Sequence, residues 1–574
     1  MGDRWRQRRS YSPDSLRSGP EFRGRSLLAA LSQVLIAWLA ALAVLAATGC
    51  RRSEYFGSVE PPEGSVFRFN VGPEPEFLDP GMSTGLYDSR IEVLLFEGLT
   101  AKNPATLLPR PGMAERWDIS PDGRIYTFHL RADALWSDGH PVTAQDFVYS
   151  WTRVLTPATG ARYAGYLYPI VNAAEFNQGK ITDPSQLGFR ALDERTLEVR
   201  LNDPVPYFLF LAGFSTFYPV PRAAVERYGE HWTDPDHIVT NGPFLLVEHR
   251  IHDRIVVERN PKYWNRQEVR TERIIAYTVD DFRTATNMYK AGMVDWLPFP
   301  SVPPEFLPYM RGRYKDLFTY PQIALMYYGL NTTRPPLDNV LVRRALSLAI
   351  DRRALTDGLL RGGETPTDHF VPAGFPGYPP PPAPAYDLEQ AKKLLAEAGY
   401  PNGQGFPSLE IMIPPDRRPV AEAAQQMWAK NLNIHVTIQS EEFSSWLKRW
   451  DRVDYIIAAT RWIGDYLDPS TFTDLMESTN GNNNTNYNSP AYDGLQAQAR
   501  LELDPVKRLQ ILQRGEALIF QDTPVIPLYM LSANELVKPY VRGIHPATWD
   551  VLPLNHVWID REWNRRQSSA GRPE

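Results

Sequence analysis

Polar and apolar residues alternate from Arg124 to Leu130 (RIYTFHL), which predicts a half-buried β-strand. Thr143-Ala144-Gln145-Asp146-Phe147 then opens a helix. Thr143 stands at the N-cap, and Asp146 falls three residues on, where a capping-box acid sits. Ala391 to Ala398 carries apolar residues at helical spacing and stops at Gly399, a C-cap residue. Val420 to Leu432 predicts another helix, leading into the strand His435–Ile438. One further helix precedes the strand Tyr455–Ala459. This strand–helix–strand rhythm predicts an α/β lobe with a mixed or parallel sheet. The proline-rich run 371–384 predicts a loop, and residues 51–63 (RRSEYFGSVEPPE) a mobile tether.

The longest apolar stretch follows a different pattern. Leu27 to Ala47 is almost wholly apolar, after an Arg-rich start and before Thr48-Gly49-Cys50. A basic segment, an apolar run and small residues before a cut site describe a secretion signal. Ala47-Thr48-Gly49-Cys50 resembles a lipobox, making Cys50 the expected lipid attachment point. The alternatives are an uncleaved membrane anchor, for which 21 apolar residues suffice, and a chance buried cysteine. With either anchor, the body is expected outside the cytoplasm, tethered to a membrane.

Composition narrows the chemistry. At 574 residues the chain is too long for one core, and about three or four domains are expected. Cys50 is the only cysteine, which excludes an intrachain disulfide, a zinc ribbon and a CxxC redox pair. Residues 1–50 carry seven Arg against two Asp and one Glu. Taking that +4 from the formal −6 leaves −10 for the remainder, which does not suit nucleic acid. No G-x-S-x-G, H-E-x-x-H, Walker A or G-x-G-x-x-G motif occurs. His249 and His252 lie three apart without an obvious third metal ligand. Asp79, Asp146 and Asp465 have no spacing that marks a hydrolytic carboxylate pair. No enzyme activity, metal or cofactor is expected.

One segment is far more specific. Ala114 to Trp151 reads AERWDISPDGRIYTFHLRADALWSDGHPVTAQDFVYSW. It resembles the signature region of the peptide-binding proteins of bacterial ABC importers, solute-binding family 5. Other stretches agree in order: Phe77-Leu78-Asp79-Pro80, Leu95 to Leu99, Ile238 to Phe244, Asn260 to Trp264, Asn331 to Arg353 and Asn484 to Pro490. The resemblance spans about residues 66–560 and is strongest to the oligopeptide-binding branch.

That resemblance implies an α/β fold of the type II periplasmic-binding-protein kind: two lobes joined by a two-crossover hinge, with a third domain inserted in the first lobe. The implied division is 1–49 signal, 50–63 tether, 64–100 with 222–323 and 524–574 as lobe I, 101–221 as the inserted domain, and 324–523 as lobe II. It implies a monomer that captures oligopeptides between closing lobes and delivers them to an ABC permease. Within the family the alternatives are a metal chelate, haem, sugar or opine ligand, or a sensor that does not transport.

The resemblance also implies site residues. In Arg461-Trp462-Ile463-Gly464-Asp465-Tyr466, Asp465 takes the ligand's α-ammonium. Trp462 lines a side-chain pocket, and the loop through Gly464 offers backbone contacts in the manner of an added strand. The segment near Tyr327 and Tyr328 is implied to supply further backbone contacts, and Tyr163 to reach the ligand. Arg417 and Arg334 match basic residues that meet the ligand carboxylate, for which a guanidinium fork is suited. Three positions depart from the pattern: Ala459 replaces an Arg, Phe214 a His, and the aromatic at 443 is Phe443. Arg461, two residues beyond Ala459, is a candidate to restore the missing charge.

Overall fold

The alternating segment forms the strand Ile125–Leu130, with Tyr126, Phe128 and Leu130 buried. It pairs antiparallel with Ala114–Ile119 on one side and Thr196–Arg200 on the other. Phe189–Asp193 completes a four-stranded sheet. The helix Ala144–Leu155 turns Phe147, Trp151, Val154 and Leu155 inward, and the Trp151 ring meets Phe189 edge-on at 5.3 Å. The Asp146 carboxylate accepts from the Thr143 amide at 2.7 Å and its hydroxyl at 2.9 Å, closing the helix start as expected. These elements form a sheet and helix layer of their own.

The computed structural model describes residues 53–104, 106–544 and 553–564, with Phe443 and Ser444 described by backbone alone. The expected signal and Cys50 lie outside the described residues. Among the described residues, no helix is long and apolar enough to cross a membrane.

Both lobes share one eleven-stranded sheet. In one half, Val66–Asn70 runs parallel to Arg273–Tyr277 and to Trp296–Leu297, and the hairpin Phe244–Arg250 with Arg254–Arg259 extends the edge. In the other half, Leu409–Ile413 runs parallel to Val436–Ser440 and Ile457–Ile463. Two long antiparallel strands, Leu317–Leu330 and Val525–Val537, join the halves. Parallel strands covered by helices are what the strand–helix–strand rhythm predicts. Each half has its own core: Phe67, Phe69 and Trp296 in one, Tyr328, Trp428 and Ile411 in the other. Removing one such ring costs about 3–5 kcal/mol.

The register of the long pair breaks between Pro321 and Leu325, which face Ser532 and Met530. Three residues, Gln322 to Ala324, thus oppose one residue on the partner strand. A bulge interrupts the ladder and bends the strand locally, and here it lies where the chain passes from one lobe to the other.

The expected mobile tether is corrected. Tyr55 onward belongs to the main compact unit, and the reason is a set of long-range contacts. The Phe56 amide donates to both Asp316 carboxylate oxygens at 3.0 Å, and Lys538 Nζ donates to the Phe56 carbonyl at 3.1 Å. The Phe56 ring lies 5.3 Å from Tyr314 and 6.4 Å from Tyr289. Gly57 has φ +82° and passes so close to the Lys290 carbonyl that a Cβ would overlap it. Asp316 immediately precedes one long strand, and Lys538 immediately follows the other.

Candidate ligand-binding cleft

The strand Ile457–Ile463 leaves the sheet where it meets the bulge. Trp462 stands opposite Leu325 and Ile463 opposite Ala324. The Gly464 amide then donates to the Ile323 carbonyl at 2.9 Å. A Cβ on Gly464 would sit 2.9 Å from Ile323 Cγ2 and 3.2 Å from Thr471 Cγ2, so only glycine lets the chain turn this tightly. The next amide, that of Asp465, donates to Thr471 Oγ1 at 2.9 Å. The loop is therefore fastened on both sides of the carboxylate it presents.

That carboxylate meets the inserted domain. Burial raises the Asp465 pKa to about 6, against which a hydrogen bond from Tyr166 stabilises the charged form. Tyr163 and Tyr166 both titrate above the usual phenol value, first through burial and then through the nearby Asp465 charge. Their rings meet edge-on at 4.9 Å, and Phe214 packs 6.0 and 5.1 Å from them. The Tyr163 hydroxyl donates to the Thr84 carbonyl at 3.4 Å, tying the cluster to the first lobe. Among the described residues no Lys or Arg forms an ion pair with Asp465. A desolvated carboxylate without a cation is costly, and a ligand ammonium removes that cost.

The loop continues to a second bridge between the inserted domain and the second lobe. Tyr466 stacks on Tyr207 at 4.0 Å with planes 7° apart. Asp468 is held by Arg508 through two hydrogen bonds of 2.7 and 2.8 Å.

The expected site residues divide. Asp465 and Tyr163 come together, with Gly464 turning the loop just before the aspartate. Trp462 is half-buried three residues before Asp465, with its indole N–H buried and unpartnered. Tyr166 and Thr471 were missed. A second Tyr three residues after Tyr163 in a 3-10 turn was the available signal for Tyr166; nothing local marked Thr471.

Other expected site residues have partners within the fold. Tyr328 is fully buried in the second lobe, its hydroxyl 3.4 Å from the Val420 carbonyl and its ring against Trp428. Tyr327, on the opposite face, packs edge-on against Phe370 at 5.6 Å. Both residues are paired with neighbouring strands on both sides, which leaves no open edge for a peptide to extend. Arg334 lies beyond the far end of its strand, about 20 Å from the bulge at 3.3 Å per residue. There it pairs with Asp454 at 3.0 Å on the surface. Arg417 is buried, donates to the Ala459 carbonyl and lies 5.1 Å from the Trp446 ring. Burial, partly offset by the Asp416 charge and reinforced by that of Arg461, lowers its pKa to about 10. Arg461 is exposed and shares a strand face with Ala459, so the two arginines form one basic pair. The side chain of Phe443 lies outside the described residues.

The three aspartates are far from a catalytic pair. Asp79 binds Arg153 and the Trp232 indole, Asp146 closes its helix, and Asp465 faces the cleft. His249 bonds Glu74 at 2.7 Å, and the His252 amide uses the other oxygen of the same carboxylate. Among the described residues, no three His, Cys, Asp or Glu side chains form a metal-binding group.

Comparison with known proteins agrees with this architecture. Residues 109–484 match the family model for bacterial extracellular solute-binding proteins, family 5. The periplasmic oligopeptide-binding protein OppA of Escherichia coli K12 is 36% identical over 494 residues, 83% of this chain and 88% of that one. The unliganded open form of MppA, the murein tripeptide-binding protein of Escherichia coli, superposes with a TM-score of 0.77 at 34% identity. That match covers 87% of this chain and 98% of MppA. Haemophilus influenzae OppA in complex with the peptide RPPGFSPFR gives a TM-score of 0.71 at 32% identity, covering 87% and 100%. The named relatives are binding proteins, and the chain belongs to the family 5 bacterial extracellular solute-binding proteins.

Proposed function

We propose that this protein captures oligopeptides between its two lobes and delivers them to an ABC permease, without transforming them. The observation that carries this reading is Asp465: a buried carboxylate between two domains, held by Tyr166 and unmatched by any cation among the described residues. A peptide's α-ammonium supplies the missing charge and its protons satisfy the remaining acceptor positions. Trp462 contributes its unpartnered indole N–H to a ligand carbonyl. Arg461 and Arg417 are the candidates for the ligand's carboxylate end. The relatives bound to or named for peptides support this assignment.

The reading extends to the division of the chain. Lobe I comprises 64–100, 222–323 and the chain from about residue 531, the inserted domain 101–221, and lobe II 324 to about 530, since Ile526 and Leu528 pack in the second half's core. The pivot lies at the bulge Gln322–Ala324 and the facing Met530–Ser532, whose broken register gives the long strands a place to bend. The protein acts as a monomer, and a lipid on Cys50 holds it to a membrane outside the cytoplasm.

Isothermal titration of Asp465→Ala with tri- to pentapeptides tests the proposal. Loss of most of the affinity is expected; unchanged binding refutes the anchor. Mass spectrometry of peptide after incubation with the protein tests the second claim, and a cleaved peptide refutes it.

A further inference from the structure

The docked N-terminal segment ends on a surface of distinctive chemistry. Next to Phe56 lies the half-buried Tyr314, and the Tyr314 hydroxyl meets that of Tyr309 at 3.1 Å. Tyr309 is 53% exposed. The Arg313 guanidinium lies 4.3 Å from the Tyr309 ring and 5.4 Å from the Tyr314 ring, and Lys290 acts on Tyr309 by its charge. Lys290 stands in the last turn of the helix Phe282–Ala291, and its carbonyl accepts from the Ser58 amide at 2.9 Å. Three residues on, Met293 is 48% exposed. The acids here are engaged elsewhere. Asp316 is buried and takes the Phe56 amide and the Tyr289 hydroxyl, and Glu305 pairs with Arg283. One face of an otherwise acidic body therefore presents two cations beside an exposed tyrosine and a methionine.

Exposed tyrosine with basic side chains suits the headgroup layer of a bilayer, where the ring sits between apolar and wet regions and cations meet anionic lipid. Chain length places this face there. Tyr55 is fixed to the body, and Cys50 is five residues earlier, so a lipid on Cys50 lies within about 18 Å of it. We propose that the surface formed by Lys290, Met293, Tyr309 and Arg313 rests on an anionic phospholipid membrane, holding the first lobe at the bilayer while the second lobe moves. The inference rests on the anchor assigned to Cys50.

The test uses the full chain reconstituted in phosphatidylcholine vesicles, with or without an equal part of phosphatidylglycerol. Hydrogen exchange is followed over 305–315. In the anionic vesicles exchange is expected to slow at least about fivefold relative to detergent micelles, the factor that one surface-bound basic residue supplies. Lys290→Glu combined with Arg313→Glu removes the slowing while leaving peptide affinity and vesicle association intact. Equal exchange in micelles and anionic vesicles, with the chain still vesicle-bound, overturns the proposal. So does equal slowing in neutral vesicles. A chain that does not associate with vesicles overturns the anchor reading and this proposal together.

Discussion

Asp465 and Asp468 lie three residues apart on one loop, both strongly desolvated, and their environments drive them in opposite directions. Asp468 has Arg508 in a two-point pair, and its pKa falls below the usual carboxylate value despite burial. Asp465 has only Tyr166, and its pKa rises to about 6. Burial is therefore not what separates a structural carboxylate from a binding one in this loop. The difference is whether the protein supplies the countercharge or leaves it to a ligand. The Asp468 pair fixes the loop to the helix Pro505–Asp522, and that fixed loop presents Asp465.

Breaking the structural half should have the largest effect. Asp468→Ala leaves Arg508 buried without its partner and is expected to destabilise the fold by about 3–5 kcal/mol, read by chemical denaturation. Asp465→Asn should instead leave stability equal or higher, because it removes an uncompensated desolvated charge. Its peptide affinity should fall about hundredfold, in line with loss of one partner of a buried charge pair. A variant that lost stability at 465 or affinity alone at 468 would erase the distinction.

Acid sharpens it further. The folded Asp465 binds its proton at about 6, above the unfolded value, so between these values the folded state holds a proton that the unfolded chain lacks. Asp465 therefore favours the ligand-free fold increasingly as pH falls from 6 toward 4, and this contribution is lost as pH rises through 6. Asp468 has the opposite sign: its stabilisation is present above the unfolded pKa and lost as pH falls through the lowered folded one. Peptide affinity should drop about tenfold per pH unit below 6, because the ammonium needs the ionised Asp465. Calorimetry at pH 7 and pH 5 should show that drop in the parent chain, and Asp465→Asn should lack it.

Two smaller changes probe the supports. Gly464→Ala forces Ile323 or Thr471 aside and should cost about 1–3 kcal/mol, read by thermal unfolding. Tyr166→Phe removes the donor that favours the charged form, so the pH midpoint of peptide affinity should move above 6.

Much of this was legible in the sequence. Thr143 and Asp146 announce a helix start because a cap is a local arrangement, and the alternation of Arg124 to Leu130 transmits directly into buried and exposed faces. Asp465 was found through the resemblance, since nothing in its neighbours indicates that Tyr166 will close over it. The backbone at Tyr327 and Tyr328 is implied as a ligand contact, and its pairing on both sides is set by strands more than a hundred residues away. Arg334 comes from the resemblance alone, and the sequence does not show that Asp454, 120 residues on, pairs with it. The tether failed for a different reason. Polar and proline residues surround Tyr55-Phe56, and the partner that immobilises them, Asp316, is 260 residues away.

The two long strands carry a consequence for assembly. Val525–Val537 pairs with Leu317–Leu330 along both lobes and with Trp296–Leu297 in the first, yet it lies far downstream of both in the chain. Neither half of the sheet has its full set of neighbours until that strand is available. Such distant pairings close slowly, because the intervening loop must be ordered before the contacts repay it. The first half of the sheet thus stays without the strand that unites it with the second until the intervening residues have been made.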